Sequence, residues 1–383
     1  MKFSISFMKA TIVSVLATTF ASQATADILY RLTDLGNLVQ ERGGADSRAL
    51  GINNSGDVVG WAYADWDENS HAYQYSTGRM QDIHPNNLGY RSAAYGLSEN
   101  GLAAGLTVDY SHHARATVWR DGVAEFIGPR NAESLALDIN DSGGMTGNVK
   151  VNENWHAFRH DTGGFSDLGT LGGSFSYGLA INSAGTIVGH SLTASPGCQQ
   201  HAFSCGVDGV MRDLGTLGGE HSQANGINDL GQIVGSAWQE NDHPEAFIYS
   251  LDHGGSGLMQ SLGVLGGFSS GANDINENGD VVGWWSPDGF SRLAFVSFDN
   301  HPGSPGSLGE MLDLNNLIDP ATGWTLVETR AINDFGAIVG FGIDPNGIDR
   351  GFLLTPIPAP NTTAVFSVFI STLVLGLGLR RRR

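Results

Sequence analysis

Apolar positions in this chain fall in short runs, and the runs return in a fixed order. One phrase recurs seven times: GINNSGDVVG at 51–60, GLSENGLAAG at 96–105, DINDSGGMTG at 138–147, AINSAGTIVG at 180–189, GINDLGQIVG at 226–235, DINENGDVVG at 274–283 and AINDFGAIVG at 331–340. Its second residues are spaced 45, 42, 42, 46, 48 and 57 apart, a period that signals a propeller or solenoid. Within the phrase, Asn53, Asn140, Asn182, Asn228, Asn276 and Asn333 each stand three residues before a glycine, with Ser98 in the second copy. Asn or Ser first and Gly fourth is the signature of a type I turn, so each phrase predicts a hairpin: one strand ends at Ile-Asn and the next reads Val-Gly.

Two further phrases fill each period. An aromatic strand reads HAYQY at 71–75, ATVW at 116–119, HAFRH at 156–160, HAFSC at 201–205, EAFIY at 245–249, LAFVSF at 293–298 and GFLLT at 351–355. A strand-then-glycine phrase reads DLGTLGG at 167–173 and again at 213–219, SLGVLGG at 261–267 and LDLNNL at 312–317, with weaker copies at 82–89 and 124–128. Each unit therefore predicts four short strands, the content of a propeller blade. The expected fold is all-β, a seven-bladed propeller over residues 27–357. The last repeat lacks its fourth strand, and a lone copy of that strand, Tyr30 to Leu38, precedes everything. The N-terminal strand is thus expected to complete the last blade and leave no open edge. An open β-solenoid, which needs caps, is the alternative. Small residues such as Ala49, Gly51, Ala94, Gly96, Ala224 and Gly226 mark the Ile-Asn strand as innermost.

These phrases resemble the HAF repeat family of probable extracellular proteins, over residues 30–356. The resemblance implies exported tandem repeats and no catalytic residues. Composition agrees with strands joined by turns: 54 of 383 residues are glycine and 41% are hydrophobic.

The two ends carry processing patterns. Lys2 and Lys9, the apolar run Ala10 to Phe20 and the small-x-small triplet Ala24-Thr25-Ala26 predict a signal peptide over residues 1–26. At the other end Pro358-Ala359-Pro360 precedes a charge-free stretch, Ala364 to Leu379, and Arg380 to Arg383. That order predicts a membrane-inserted anchor over 358–383 with the arginines inside. It resembles the PEP-CTERM sorting signal, with Ala359 in place of its Glu, and the resemblance implies an exosortase-type partner and a cell-envelope or extracellular location. Without both ends the body holds 39 acidic against 14 basic side chains, a net charge of −25. Nucleic acid and anionic lipid, which need a basic footprint, are not expected partners.

Candidate chemistry is sparse. The loops after the Val-Gly strands are aromatic and acidic, and Tyr63, Trp66, Asp67, Tyr110, His113, Trp155, Trp238, Asp242, Trp284 and Trp285 are the candidate ligand-binding residues. Aromatic rings beside carboxylates can stack on and hydrogen-bond sugars. Asp274, Asn276, Asn278 and Asp280 resemble the start of a calcium loop, although the twelfth position is Trp285 rather than Glu; no other cofactor is expected. His71, His156 and His201 share one strand position and are expected to make hydrogen bonds within their blades. Cys198 and Cys205 are the sole cysteines and, in an oxidising compartment, a candidate disulfide. No nucleophile elbow, zinc-protease helix or P-loop occurs. The expectation is a non-enzymatic surface or matrix scaffold presenting a propeller face to polysaccharide or protein. The alternative is a secreted carbohydrate-active hydrolase or lyase using carboxylates on that face.

Overall fold

A computed structural model describes residues 29–39, 46–64, 69–195, 197, 199–251, 257–298 and 309–358. The signal-peptide and anchor segments, Trp66, Asp67, Cys198, Ala359 and Pro360 lie outside the described residues. The chain forms seven four-stranded antiparallel sheets arranged in a ring, a seven-bladed β-propeller. The inner strands of blades 1 to 7 are Ser47–Ile52, Arg91–Leu97, Ser134–Ile139, Gly172–Ile181, Ser222–Ile227, Ser269–Ile275 and Thr325–Ile332. They touch one another around the ring. In six blades the four strands follow in chain order; in the seventh, Tyr30–Asp34 pairs antiparallel with Asp349–Pro356 as the outer strand. Among the described residues no helix is long and apolar enough to cross a membrane.

Each repeated letter of the hairpin phrase has a mechanical reason. Every inner strand carries a bulge opposite the glycine of Val-Gly, as between Ala49 and Gly51 opposite Gly60 or between Gly178 and Ala180 opposite Gly189. A Cβ at Gly189 would lie 1.8 Å from the Tyr177 carbonyl oxygen, so the backbones approach where no side chain fits. The bulge turns one residue per blade into the central channel: Leu50, Tyr95, Leu137, Leu179, Asn225, Asn273 and Arg330.

The turn asparagines do double duty. Asn140 Oδ1 accepts from the Gly144 amide at 2.8 Å within its own turn, while its Nδ2 donates to the Asn182 carbonyl of the next blade at 2.9 Å. The same donation runs from Asn182 to Asn228, Asn228 to Asn276, Asn276 to Asn333 and Asn53 to Ser98. It crosses from the last blade to the first at Asn333 Nδ2 to Asn53 O, 3.0 Å. The ladder is broken only where Ser98, which has no amide, replaces Asn.

The other two phrases lock to each other. His71, His156 and His201 bond through Nδ1 to Asp82, Asp167 and Asp213 of their own outer strands, at 2.8–3.0 Å. The expectation of structural bonds within each blade therefore holds. The Asp also accepts the amide two residues on, as Asp167 Oδ1 does from Gly169 at 2.8 Å. Outer strands consequently end at this Asp, as in Gly164–Asp167 and Met211–Asp213. The Leu-Gly letters that follow, expected as strand, instead begin the connection to the next blade in these two copies. A serine at the start of the following inner strand completes the lock: Ser222 Oγ accepts from the Ala202 amide at 2.8 Å and donates to the Gly215 carbonyl. Ser222 is fully buried, so Ser222→Ala strands a buried donor and acceptor at a cost of about 1–3 kcal/mol, while His201→Ala costs about 1 kcal/mol. Urea unfolding is expected to rank them in that order, and the reverse ranking counts against the lock.

Candidate functional site

Because direction alternates from strand to strand, the second-to-third and outer-to-inner connections share one face. On that face the mouth of the central channel widens into a cavity of about 480 Å³. Its wall is divided. Blades 1 to 4 contribute Leu50, Tyr95, Leu137 and Leu179; blades 5 to 7 contribute Gln223, Asn225, Trp238, Asn273, Trp284, Arg292, Glu328 and Arg330.

Among the described residues Glu328 is the one carboxylate lining this cavity, and it is 3% exposed. The inner strand of blade 7 has a second register shift, between Leu326 and Glu328, beside the bulge shared by all blades. Arg292 Nη1 lies 3.1 Å from Glu328 Oε2, and Arg330 Nη2 lies 3.2 Å from Oε1. Asn273 Nδ2 donates to the same Oε1 at 3.1 Å. The Arg292 guanidinium also lies over the Trp284 ring, 4.0 Å from its centroid. The ring in turn needs Gly271 beneath it, where a Cβ would come within 2.8 Å of the indole. One buried carboxylate is thus held by two arginines and an amide, beside an aromatic face and open to a cavity. Removing the arginines would leave the buried Glu328 charge uncompensated, whereas their own side chains are 49% and 38% exposed.

Of the residues expected from sequence, Trp238 and Trp284 line this cavity. Tyr63 lies in an adjacent slot with Trp61, their ring centroids 5.5 Å apart. His113 lines a separate cleft between blades 2 and 3. Tyr110 donates its hydroxyl to the Asn86 carbonyl at 2.6 Å on the rim, Asp242 occupies a left-handed turn position, and Trp155 lies in the third strand of blade 3. Trp285 packs instead on the core between blades 5 and 6. Glu328, Arg292, Arg330, Asn273 and Asn225 are the residues sequence reading missed. A signal existed: the bulge position is Leu or Tyr in four blades and Asn, Asn, Arg in the next three.

The calcium-like letters serve the turn and the ring. Asn276 Oδ1 accepts from the Asn278 and Asp280 amides, and its Nδ2 donates to Asp280 and Asn333. Asn278 Nδ2 donates to the Asp334 carbonyl at 2.8 Å. Among the described residues no group of three or more His, Cys, Asp or Glu is placed to hold a metal. Cys205 is fully buried in blade 4, and burial pushes its thiol pKa up.

Deeper in the channel, Asp138 and Asp274 occupy the inner-strand position that is Gly or Ala in the other blades. Each clips two blades: Asp138 accepts from the Ile139 and Ile181 amides and Asp274 from the Ile275 and Ile332 amides, at 2.8–2.9 Å. Burial outweighs these bonds and pushes the carboxyls up, to about 6 for Asp138 and about 7 for Asp274. Folded pKa values above the unfolded one mean the ring binds these protons more tightly, so their stabilising contribution is full below about pH 4 and is lost as pH rises through about 7. Comparing the native chain with Asp274→Asn, the stability difference is expected to favour the native chain more at pH 5 than at pH 8, by at most about 3 kcal/mol since the channel admits water. Equal pH dependence of the two in urea unfolding would contradict this.

No family model matches the chain, and no curated protein matches it. Among solved structures, a gluconolactonase from Xanthomonas campestris is similar over 86% of this chain and 90% of its own, at 11% identity and a TM-score of 0.39. Its name is that of an enzyme, which stands against the expectation of a non-enzymatic scaffold. At that distance the likeness carries no residue, substrate or reaction across, and chemistry here has to be argued from the cavity.

Proposed function

We propose that this chain is an exported carbohydrate-active enzyme of the lyase type, with Glu328 as its acid–base group. The observation that carries the reading is the buried Glu328 between Arg292 and Arg330 beside Trp284, on the wall of an axial cavity. Export is supported by the leader-like and anchor-like patterns at the two ends.

The donor set favours elimination over hydrolysis. Glycoside hydrolysis uses two carboxyl groups, about 5–10 Å apart, whereas among the described residues a single carboxylate lines this cavity. Cleavage by elimination needs one base and a cationic partner for the substrate's own carboxylate. A uronate entering the cavity competes with Glu328 for the two arginines. As they turn to the substrate they withdraw electron density from its carboxylate and release Glu328 from its ion pairs, which makes it a better base. Glu328 then takes the proton from the carbon beside the sugar carboxylate. The C–H electrons form a new C=C bond, the glycosidic C–O bond breaks, and its electrons leave on the sugar oxygen, which takes the proton back from the Glu328 carboxyl. Trp284 and Trp238 offer faces for the sugar rings.

The test is incubation of the purified protein with polygalacturonate, alginate and hyaluronate. Unsaturated sugar ends, which absorb in the ultraviolet, are the expected product. New reducing ends without unsaturation, or no cleavage of any of the three, would overturn the lyase reading.

A further inference from the structure

The same face carries a second, larger cavity away from the axis. It lies between blades 2 and 3 and measures about 760 Å³. Arg115, Arg130 and Lys150 line it, with Asp109, Glu133 and Glu153. Lys150 is the sole lysine after residue 9. Of the 14 basic residues in the body, six line three cavities of this one face: these three, Arg91 in the neighbouring slot, and Arg292 and Arg330 at the axis. The opposite mouth of the channel is ringed instead by Glu99, Asp141, Asp229, Glu277 and Asp334. In a body of net charge −25, six of its 14 cations thus line cavities of a single face, where low-dielectric walls focus the field.

The cleft's cations are only partly spoken for. The Arg115 side chain is 13% exposed, its nearest acid oxygen, on Asp109, is 3.8 Å away, and its buried Nε has no hydrogen-bond partner. Arg130 is exposed and makes no ion pair among the described residues. Lys150 holds Glu133 at 3.5 Å and Glu153 at 3.1 Å, but the Glu153 side chain is 91% exposed and free to leave. An arriving anion can take its place.

Tyr95 lines both the axial cavity and a slot of about 360 Å³ between blades 1 and 2. Trp61, Tyr63 and Arg91 line the same slot, which ends at Val108; the next residue, Asp109, lines the cleft. The slot shares Tyr95 with the axial cavity and no lining residue with the cleft.

We propose that the cleft between blades 2 and 3 is a second binding site, taking an anionic segment of the polysaccharide chain whose cleavage point lies at Glu328. The proposal rests on the carbohydrate reading above. The recognised group is a carboxylate or a sulfate on the sugar ring, and the test separates them.

Binding to long polygalacturonate, its fully methyl-esterified neutral form, dextran sulfate and single-stranded DNA is measured by calorimetry, for the native protein and for Arg130→Ala, Lys150→Ala and Arg115→Ala. Arg130 is exposed and Lys150 only partly buried, so those two variants keep the test valid if Arg115→Ala fails to fold. Polygalacturonate or dextran sulfate is expected to bind, whichever is preferred naming the group, and the neutral form to bind weakly. Arg130→Ala and Lys150→Ala are each expected to weaken long-chain binding roughly tenfold, with cleavage of a trisaccharide unchanged. Equal binding of the neutral form, unchanged affinity in both variants, or preference for DNA would overturn the second site. Cleavage that depends on Glu328 would survive those results, so failure of the cleft and failure of the lyase reading are distinguishable.

Discussion

Glu328→Gln is expected to lose cleavage by about 10³-fold, within the range of about 10²–10⁴ that a positioned acid–base group contributes, and to bind an acidic substrate more tightly than the native protein. Both effects follow from the same contacts. Gln keeps the size of the side chain and one carbonyl oxygen, so either Arg292 or the pair Arg330 and Asn273 retains its acceptor while the other side faces an NH2. It cannot accept the substrate proton, and turnover stops. It also removes the negative charge that competes with the substrate for Arg292 and Arg330, so both arginines become available to a sugar carboxylate. A merely structural Glu328 gives a different pattern: a lower melting temperature, with turnover and affinity falling together. The measurements that separate them are the thermal midpoint, KM and kcat on polygalacturonate. Unchanged kcat in a folded Gln variant sinks the assignment. Arg330→Lys adds a second reading of the same geometry, since a point charge without the planar fork is expected to raise KM more than it lowers the midpoint.

The ring was legible in the sequence because its determinants are local or repeat at fixed spacing. The Asn-x-x-Gly turn needs its own letters only, and the small inner-strand residues report a crowding that Gly96 makes concrete: a Cβ there would lie 2.8 Å from the Asp138 Cα of the next blade. The phrase Asp-Leu-Gly was read one step out of place for a physical reason. Its Asp ends the strand by capping the following turn, and the Leu that follows is apolar yet sits in a connection. The cavity was not legible in the same way. Glu328 and Arg330 stand 36 and 38 positions from Arg292 and about 100 from Asn225 and Gln223, and only closure of the ring brings them to one wall. The extra bulge that accompanies Glu328 leaves no mark in the repeat spacing. Loop aromatics attracted attention because they are conspicuous, but Trp285 turned inward to the core and Tyr110 outward to the rim. Repeats consume their regular letters in holding blades together. Chemistry is better sought where equivalent positions stop agreeing, as at Leu179, Asn225, Asn273 and Arg330.

A chain without residues 29–38, which include the strand Tyr30–Asp34, is expected not to fold cooperatively at all. That strand is the outer edge of blade 7, in register from Tyr30 opposite Pro356 to Asp34 opposite Phe352. It also ties three blades. Tyr30 is 3% exposed in the core with Leu314, Leu317, Leu326 and Phe352, and the Leu29 and Tyr30 amides donate to the Leu317 carbonyl at the end of blade 6. Leu35, 4% exposed, packs with Ala49, Ile52 and Val58 of blade 1, and Ser47 Oγ of that blade donates to the Gly36 carbonyl at 2.6 Å. Burying two large apolar side chains contributes about 2–3 kcal/mol each, and the ladder and its flanking bonds about 1 kcal/mol apiece. The sum, on the order of 10 kcal/mol, is comparable to the whole stability of a typical domain. Loss of the strand also bares the edge of Asp349–Pro356, which invites pairing between chains. Circular dichroism and size-exclusion chromatography are expected to show an unfolded or associated product. A synthetic peptide covering residues 27–38 is expected to restore the folded monomer by adding back the missing edge. A truncated chain with an unchanged melting temperature would mean that the Asn belt and the six complete blades close the ring unaided.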